Sequence, residues 1–285
     1  MLGARGRPPP AGPSDIPAFV KVRERPLKTH VFGRGGTVFV CPPAWGLPGE
    51  MAINPLRPHA DAARFFTFDP SGTGESTATR AKEDLTSRGL ANDCTGLLLR
   101  LKLRPMAVLG HSHGGLVAMR VALNHPELVR KLVVVSSTPG DGSDDPWAWR
   151  ALLGDAAPTA PVERREEILK MGHAIWARSL ADPSQSKKVF GPLPDKKWKV
   201  SIERFNASPK DSQGLDLRPK LPHIRAPTLI LHGRKDPVVG EGAAEEMRKA
   251  LPNGEIVYFE KSGHFPMLEE PLKFATVLGE FLRRD

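Results

Sequence analysis

Cysteine is scarce in this chain, with Cys41 and Cys94 the whole supply in 285 residues. Two thiols build neither a disulfide framework nor a zinc cluster, so the expected compartment is a reducing cytoplasm and no metal is expected. Long apolar runs are also missing. None approaches the roughly 20 residues that cross a bilayer. The opening stretch MLGARGRPPPAGPSD carries charge and proline where a signal peptide needs an apolar core. A soluble protein without a membrane partner is the expectation. Acidic residues number 32 against 41 basic ones, for a net charge of +9. The excess lies in Arg5, Arg7, Lys21, Arg23, Arg25 and Lys28, and in Lys187, Lys188, Lys196, Lys197 and Lys199. No helical pattern carries a basic stripe with interleaved aromatics, so the charge reads as solvated surface and no nucleic-acid partner is expected. What is present is ordinary for a soluble protein: 40% hydrophobic and 26% charged residues. That supports one large α/β domain with an insertion, or two modest domains.

Residues 1–15, rich in Pro, Gly and Arg, are expected to be disordered. Extended stretches near 18–24 and 27–32 precede a β-branched run, Thr37–Cys41, ended by Pro42-Pro43. A second run, Arg64–Asp69, stops at Pro70 and a Gly-rich turn. The pattern then turns helical over about Ser87–Lys102, with Leu90, Cys94, Leu97, Leu98 and Leu101 on one face. Strand Met106–Gly110, helix Gly114–Asn124 closed by Pro126, and the valine-rich strand Leu132–Ser136 follow. Later come strand Thr228–His232, helix Glu241–Leu251, strand Glu255–Glu260 and a helix from about Pro271. That last helix places Phe274, Val277, Leu278, Phe281 and Leu282 on one face. Short, continuously apolar strands alternating with helices predict a mostly parallel sheet with helices on both faces.

Between Thr138 and about Arg225 the alternation lapses. Four of the five tryptophans fall here (Trp147, Trp149, Trp176, Trp198), with helical patterns over Glu163–Leu180 and Lys196–Phe205. The segment 139–225 reads as a helical cap inserted into a core of 16–138 and 226–285. Most of its aromatics should glue the cap down, while Trp176, Trp198 and Phe205 are the candidates for lining a substrate pocket.

Chemistry concentrates at Gly110-His111-Ser112-His113-Gly114-Gly115, directly after one strand and before a helix. Gly-x-Ser-x-Gly in that context reads as a nucleophile elbow: small flanking residues permit a tight turn that lifts the serine above the sheet edge. The backbone N–H of His113 would then face a developing oxyanion. A serine needs a base. His264, in Ser262-Gly263-His264-Phe265-Pro266, follows the last strand and so lies on the same sheet edge. His111 and His113 read as elbow lining. The base in turn needs a carboxylate to fix its tautomer. Asp236 sits in the loop after the preceding strand, and Asp141, Asp144 and Asp145 after an earlier one stand as alternatives. Cys41 reads as a small buried residue at a strand end.

From Thr37 onward, cap excluded, the sequence resembles the α/β-hydrolase superfamily. The order Ser…Asp…His is the one that family uses. Phe68-Asp69-Pro70-Ser71-Gly72-Thr73-Gly74-Glu75-Ser76 is similar to its Asp-x-Arg-Gly-x-Gly-x-Ser turn, with Ser71 in place of the arginine, and Asn124-His125-Pro126-Glu127-Leu128-Val129 is similar to its helix exit. The closest likeness is to capped, proline-iminopeptidase-like members. The family's His-Gly oxyanion motif is missing: the loop here is Cys41-Pro42-Pro43-Ala44-Trp45-Gly46. Proline has no N–H, which leaves Trp45 and Ala44 as candidates for the second oxyanion donor. His113 and Ala44-Trp45-Gly46 also stand where iminopeptidases carry Trp and Gly-Gly-Pro-Gly. The resemblance therefore implies a cofactor-free serine hydrolase acting on a small-molecule acyl substrate, an ester first. The alternatives are an aminopeptidase, for which Glu163, Glu166, Glu167 or Glu203 would bind the α-amine, and a slow or non-catalytic ligand-binding protein. Oligomeric state is not legible in the sequence.

Overall fold

The computed structural model describes residues 16–43, 45–78, 81–103, 105–140, 160–190, 198–212 and 215–284. Expectations for the tail 1–15, for Ala44, for Asp141, Asp144 and Asp145, and for Trp147 and Trp149 lie outside the described residues. Eight strands form one sheet in the order β1-β2-β4-β3-β5-β6-β7-β8. They are β1 (Phe19–Val22), β2 (Arg25–Gly33), β3 (Thr37–Cys41), β4 (Arg64–Phe68), β5 (Met106–His111), β6 (Val129–Val135), β7 (Thr228–Gly233) and β8 (Gly254–Phe259). The first two join antiparallel, and every pairing from β4 through β8 is parallel.

The period of two along each strand sends alternate residues to opposite faces. In β6, Leu132 and Val134 enter one core cluster while Val133 and Val135 enter the other, and β3 splits Phe39 and Cys41 from Val38 and Val40 in the same way. The helices are α1 (Gly49–Ile53), α2 (Ser87–Arg100), α3 (His113–Asn124), α4 (Arg165–Arg178), α5 (Ser186–Phe190), α6 (Ile202–Ser212), α7 (Glu241–Ala250), α8 (Pro266–Glu269) and α9 (Pro271–Arg283). Helices α2, α3 and α7 cover the first face with Leu90, Leu97, Val117, Val121 and Met247. Helix α9 covers the second with Phe274, Leu278 and Phe281. Full burial of each such side chain stabilises the fold by roughly 1.5–3 kcal/mol. The double-faced sheet is the one the continuous apolar runs predict.

Helices α4, α5 and α6 lie in the chain between β6 and β7. The sequence pattern placed a helix over Lys196–Phe205, but the described helix begins at Ile202 and runs on to Ser212. The reason is competition for backbone groups. Ser201 N–H donates to the Gly46 carbonyl (2.8 Å), and the Lys199 carbonyl accepts from Gly74 N–H (2.8 Å), so Lys199 and Ser201 are held by tertiary bonds outside the helix. Ser201 then starts the helix, its Oγ accepting from Arg204 N–H at 3.2 Å.

Candidate active site

Parallel strands end on one edge, and Ser112, Asp236 and His264 each follow such an end. Ser112 sits between β5 and α3 with φ 53° and ψ −127°. For a residue bearing a Cβ this backbone costs on the order of 1–3 kcal/mol. Three contacts hold it there: Ser112 N–H to the Val135 carbonyl (2.9 Å), Gly115 N–H to the Ser112 carbonyl (2.9 Å) and Ser137 Oγ–H to the same carbonyl (2.7 Å). The flanking glycines are steric necessities. A Cβ on Gly110 would stand 2.1 Å from the Gly114 carbonyl oxygen, and one on Gly114 would stand 2.5 Å from the Cys41 carbonyl oxygen. The turn places His113 in the first turn of α3, where N–H groups point out of the helix with its positive dipole end.

His264 Nδ1 lies 2.8 Å from Asp236 Oδ2, with both side chains nearly or wholly buried. A carboxylate oxygen accepts, so Nδ1 carries the proton and Nε2 keeps its lone pair. The other Asp236 oxygen, Oδ1, accepts from Val238 N–H (2.8 Å) and Val239 N–H (3.0 Å). Burial pushes this carboxyl upward, but the facing His264 and the donors on its oxygens outweigh burial, and its pKa is held below the ordinary aspartate value.

The His264 loop is held from behind by two carboxylates that sequence reasoning missed. Glu269 accepts from Gly263 N–H (2.9 Å) and Phe265 N–H (3.2 Å) on one oxygen and from Ala181 N–H (2.8 Å) on the other. Glu270 Oε2 accepts from Lys261 N–H (2.9 Å) and Ser262 Oγ–H (2.7 Å). The signal available was a Glu-Glu pair five and six residues after the histidine, just ahead of Pro271. His264 N–H itself donates to the Ser179 carbonyl at 2.8 Å.

Ser112, His264, His111 and His113 share a cavity of about 370 Å³. Its walls include Trp45, Met51, Met171, Trp176, Phe190, Trp198 and Phe205, together with Cys41 at the end of β3. Trp176, Trp198 and Phe205, the candidates for a pocket wall, all border this cavity. Trp45 packs on Phe205 with ring centroids 6.3 Å apart and on His113 at 6.1 Å. Burial depresses the His113 ring to about 4, so it is neutral near pH 7. Of the four glutamates considered for an α-amine, Glu163, Glu166 and Glu203 are exposed, and Glu167 pairs with Arg164 at 2.7 Å. None lines the cavity.

The glycine-rich turn after β4 is built around Asp69. Its Oδ1 accepts from Gly49 N–H (2.8 Å) and His30 Nε2 (2.8 Å), and its Oδ2 from Glu75 N–H (3.0 Å). Where the resemblance leads one to expect arginine, Ser71 Oγ instead receives a guanidinium N–H from Arg25 of β2 at 3.1 Å. Among the described residues no cluster of three or more His, Cys, Asp or Glu side chains suits a metal ion, and no helix is long and apolar enough to cross a membrane.

A strand–elbow–helix with Ser112, an Asp236–His264 pair on the same sheet edge and a mixed sheet of this strand order define one class of protein. The alpha/beta hydrolase fold family model matches residues 37–271, and the chain belongs to that family and is an α/β-hydrolase enzyme. It is 32% identical over 250 residues to a pimeloyl-[acyl-carrier protein] methyl ester esterase of Vibrio vulnificus (strain CMCP6), covering 83% of this chain and 91% of the relative. It is 30% identical over 222 residues to a protein of Pseudomonas savastanoi pv. phaseolicola provisionally named carbamate hydrolase RutD, covering 76% and 82%. Among solved structures, an esterase from Exiguobacterium antarcticum superposes with TM-score 0.75 at 25% identity, covering 94% of this chain and 99% of that one.

Proposed function

We propose that the protein hydrolyses carboxylic esters with an apolar acyl group through an acyl-enzyme on Ser112. The observation that carries this reading is the Asp236–His264 bond of 2.8 Å beside a cavity shared by His264 and Ser112. Asp236 fixes the Nδ1–H tautomer, so Nε2 of His264 takes the serine proton as Oγ attacks the carbonyl carbon. The N–H groups of His113 and Trp45 receive the oxyanion; Pro42 and Pro43 have no N–H to offer. His264 then protonates the departing alcohol. Water repeats the sequence on the acyl-enzyme and restores Ser112. Residues 139–225 serve as a cap whose Trp176, Trp198 and Phe205 wall the acyl group, over a core of 16–138 and 226–285. The reaction needs no cofactor.

The names of the two esterase relatives support this reading. An aminopeptidase draws no support, because that activity needs a carboxylate at the substrate amine and the four cap glutamates stand away from the cavity. The test compares kcat/KM along a p-nitrophenyl ester series with that for prolyl p-nitroanilide. Rates should rise with acyl length, each buried methylene contributing about 0.8 kcal/mol until the cavity fills. Ser112→Ala should lose several orders of magnitude in turnover and all labelling by a fluorophosphonate probe. Substantial labelling of that variant, or a faster anilide, overturns the reading.

A further inference from the structure

His111 is the residue before the nucleophile, and the reaction just described gives it no task. Its Nε2 lies 2.7 Å from the backbone carbonyl oxygen of His264. A carbonyl oxygen can only accept, so Nε2 carries a proton and donates. The two imidazole rings stand 4.7 Å apart between centroids, and the His111 ring also packs on Phe265 at 4.8 Å. His264 is therefore held at three points by three different parts of the chain. Asp236 in the loop after β7 takes its Nδ1–H, the Ser179 carbonyl after α4 takes its backbone N–H, and His111 at the end of β5 takes its carbonyl. Among these, the bond from His111 alone originates next to Ser112.

We propose that His111 is a positioning residue that sets the approach of His264 to Ser112 through its Nε2–H, and that it works as a neutral imidazole. This rests on the roles given above to Ser112 and His264. The hydrogen bond runs from a side chain beside the nucleophile to the backbone of the base, so neither loop can drift without breaking it. Neutrality matters because the reaction makes an imidazolium of His264. A second positive ring 4.7 Å away would oppose that charge at the moment it forms. The surroundings secure neutrality. Burial and the adjacent His264 push His111 down to about 3, against the opposing pull of its carbonyl bond and of the Asp236 carboxylate.

Two substitutions separate the donor from the ring. His111→Leu keeps an apolar filler and removes the donor, whereas His111→Gln places an amide N–H near the position of Nε2. With misplacement of the base as the defect, kcat on the best ester and the rate of fluorophosphonate labelling should fall on the order of ten- to a hundredfold in His111→Leu, with KM little changed. His111→Gln should recover most of the loss. A Leu variant of wild-type rate, or a Gln variant as slow as Leu at equal thermal stability, overturns the proposal. A second measurement needs no variant. In the whole wild-type protein carrying isotope-labelled histidine, the His111 nitrogen signals should report a neutral ring protonated at Nε2 from about pH 5 to about pH 9. A ring that titrates near its ordinary value, or that carries its proton on Nδ1, defeats the proposal whatever the kinetics. Persistent labelling of Ser112→Ala would instead defeat the catalytic reading and leave this nuclear-resonance result standing.

Discussion

Asp236 and Asp93 are both carboxylates with 0% side-chain exposure, and they ionise in opposite ways. Asp236 accepts three hydrogen bonds, from His264 Nδ1, Val238 N–H and Val239 N–H, and its pKa is lowered. Asp93, on α2, accepts one from Arg25 Nη2 at 2.8 Å, while its Oδ2 has no hydrogen-bond partner among the described residues. Burial raises it to about 6 against the opposing pull of Arg25 and Arg204. Arg204 on α6 is itself fully buried, and among the described residues none of its guanidinium nitrogens has a hydrogen-bond partner. Nearby positive charge does not account for the contrast, since two guanidinium groups act on Asp93, the carboxyl whose pKa is raised. Donors aimed at each oxygen do, because a buried carboxylate stays ionised only where hydrogen bonds replace the water it lost. The edge of the sheet that carries Ser112 is the fully bonded site. The contact between α6 and the core is the incompletely bonded one.

The largest effect tests the bonded site. Asp236→Asn should fold and lose turnover by on the order of 10⁴, as removal of the orienting carboxylate does in comparable triads. A nearly active Asp236→Asn would move the acid to Asp141, Asp144 or Asp145 and remove the contrast in purpose between the two carboxylates. Next in size is Arg25→Met, which takes away the hydrogen bond to Asp93 at 2.8 Å and one to Asp84 at 2.9 Å. Breaking a buried pair from one side costs roughly 3–5 kcal/mol, so urea unfolding should register a loss of that order while kcat per folded molecule holds. An unchanged midpoint would mean that this cluster is solvated in practice.

The smallest effect is a pH dependence with a definite sign. Asp93 is raised in the folded state, so its protonation stabilises the fold; that contribution is complete below the unfolded aspartate value and is lost as pH rises through about 6. Asp236 is lowered, so its contribution is present above the unfolded value and lost only at more acidic pH. Between pH 7 and pH 5, therefore, Asp93 acts alone of the two. Relative to Asp93→Asn, the wild type should gain about 1 kcal/mol on going from pH 7 to pH 5. Parallel stability curves for the two proteins would show that Asp93 does not titrate in this window.

The same contrast explains what the sequence revealed. Ser112, Asp236 and His264 were legible because each follows a strand, and strand ends of a parallel sheet share one edge whatever the side chains between them. The two-faced sheet was legible for a similar reason: alternate residues of Val38–Cys41 and Leu132–Val135 must go to opposite sides. The burial of Arg204 is not legible in the same way, since nothing near it in sequence announces Asp93 on α2. Glu269 and His111 were hidden differently. Both act on backbone atoms, and a backbone carbonyl or N–H leaves no trace in composition or spacing. The start of α6 failed on the same ground, with tertiary hydrogen bonds at Lys199 and Ser201 overriding a periodic pattern.

Among the described residues, three main-chain bonds tie Ser179, Lys199 and Ser201 to the loops at the sheet edge: His264 N–H to the Ser179 carbonyl, Ser201 N–H to the Gly46 carbonyl and Gly74 N–H to the Lys199 carbonyl. Such joints are blind to side-chain identity on the inserted segment. The demand for particular residues falls on the other partner, where a Cβ on Gly46 would stand 2.3 Å from the Ser201 carbonyl oxygen and one on Gly263 would stand 2.5 Å from that of Ser179. Attachment is thereby uncoupled from side-chain identity. Side chains on this segment, Trp198 among them, can change without breaking the main-chain bonds by which it hangs. Directed evolution of this enzyme should find its tolerant positions on the segment and its intolerant ones in the glycines beneath.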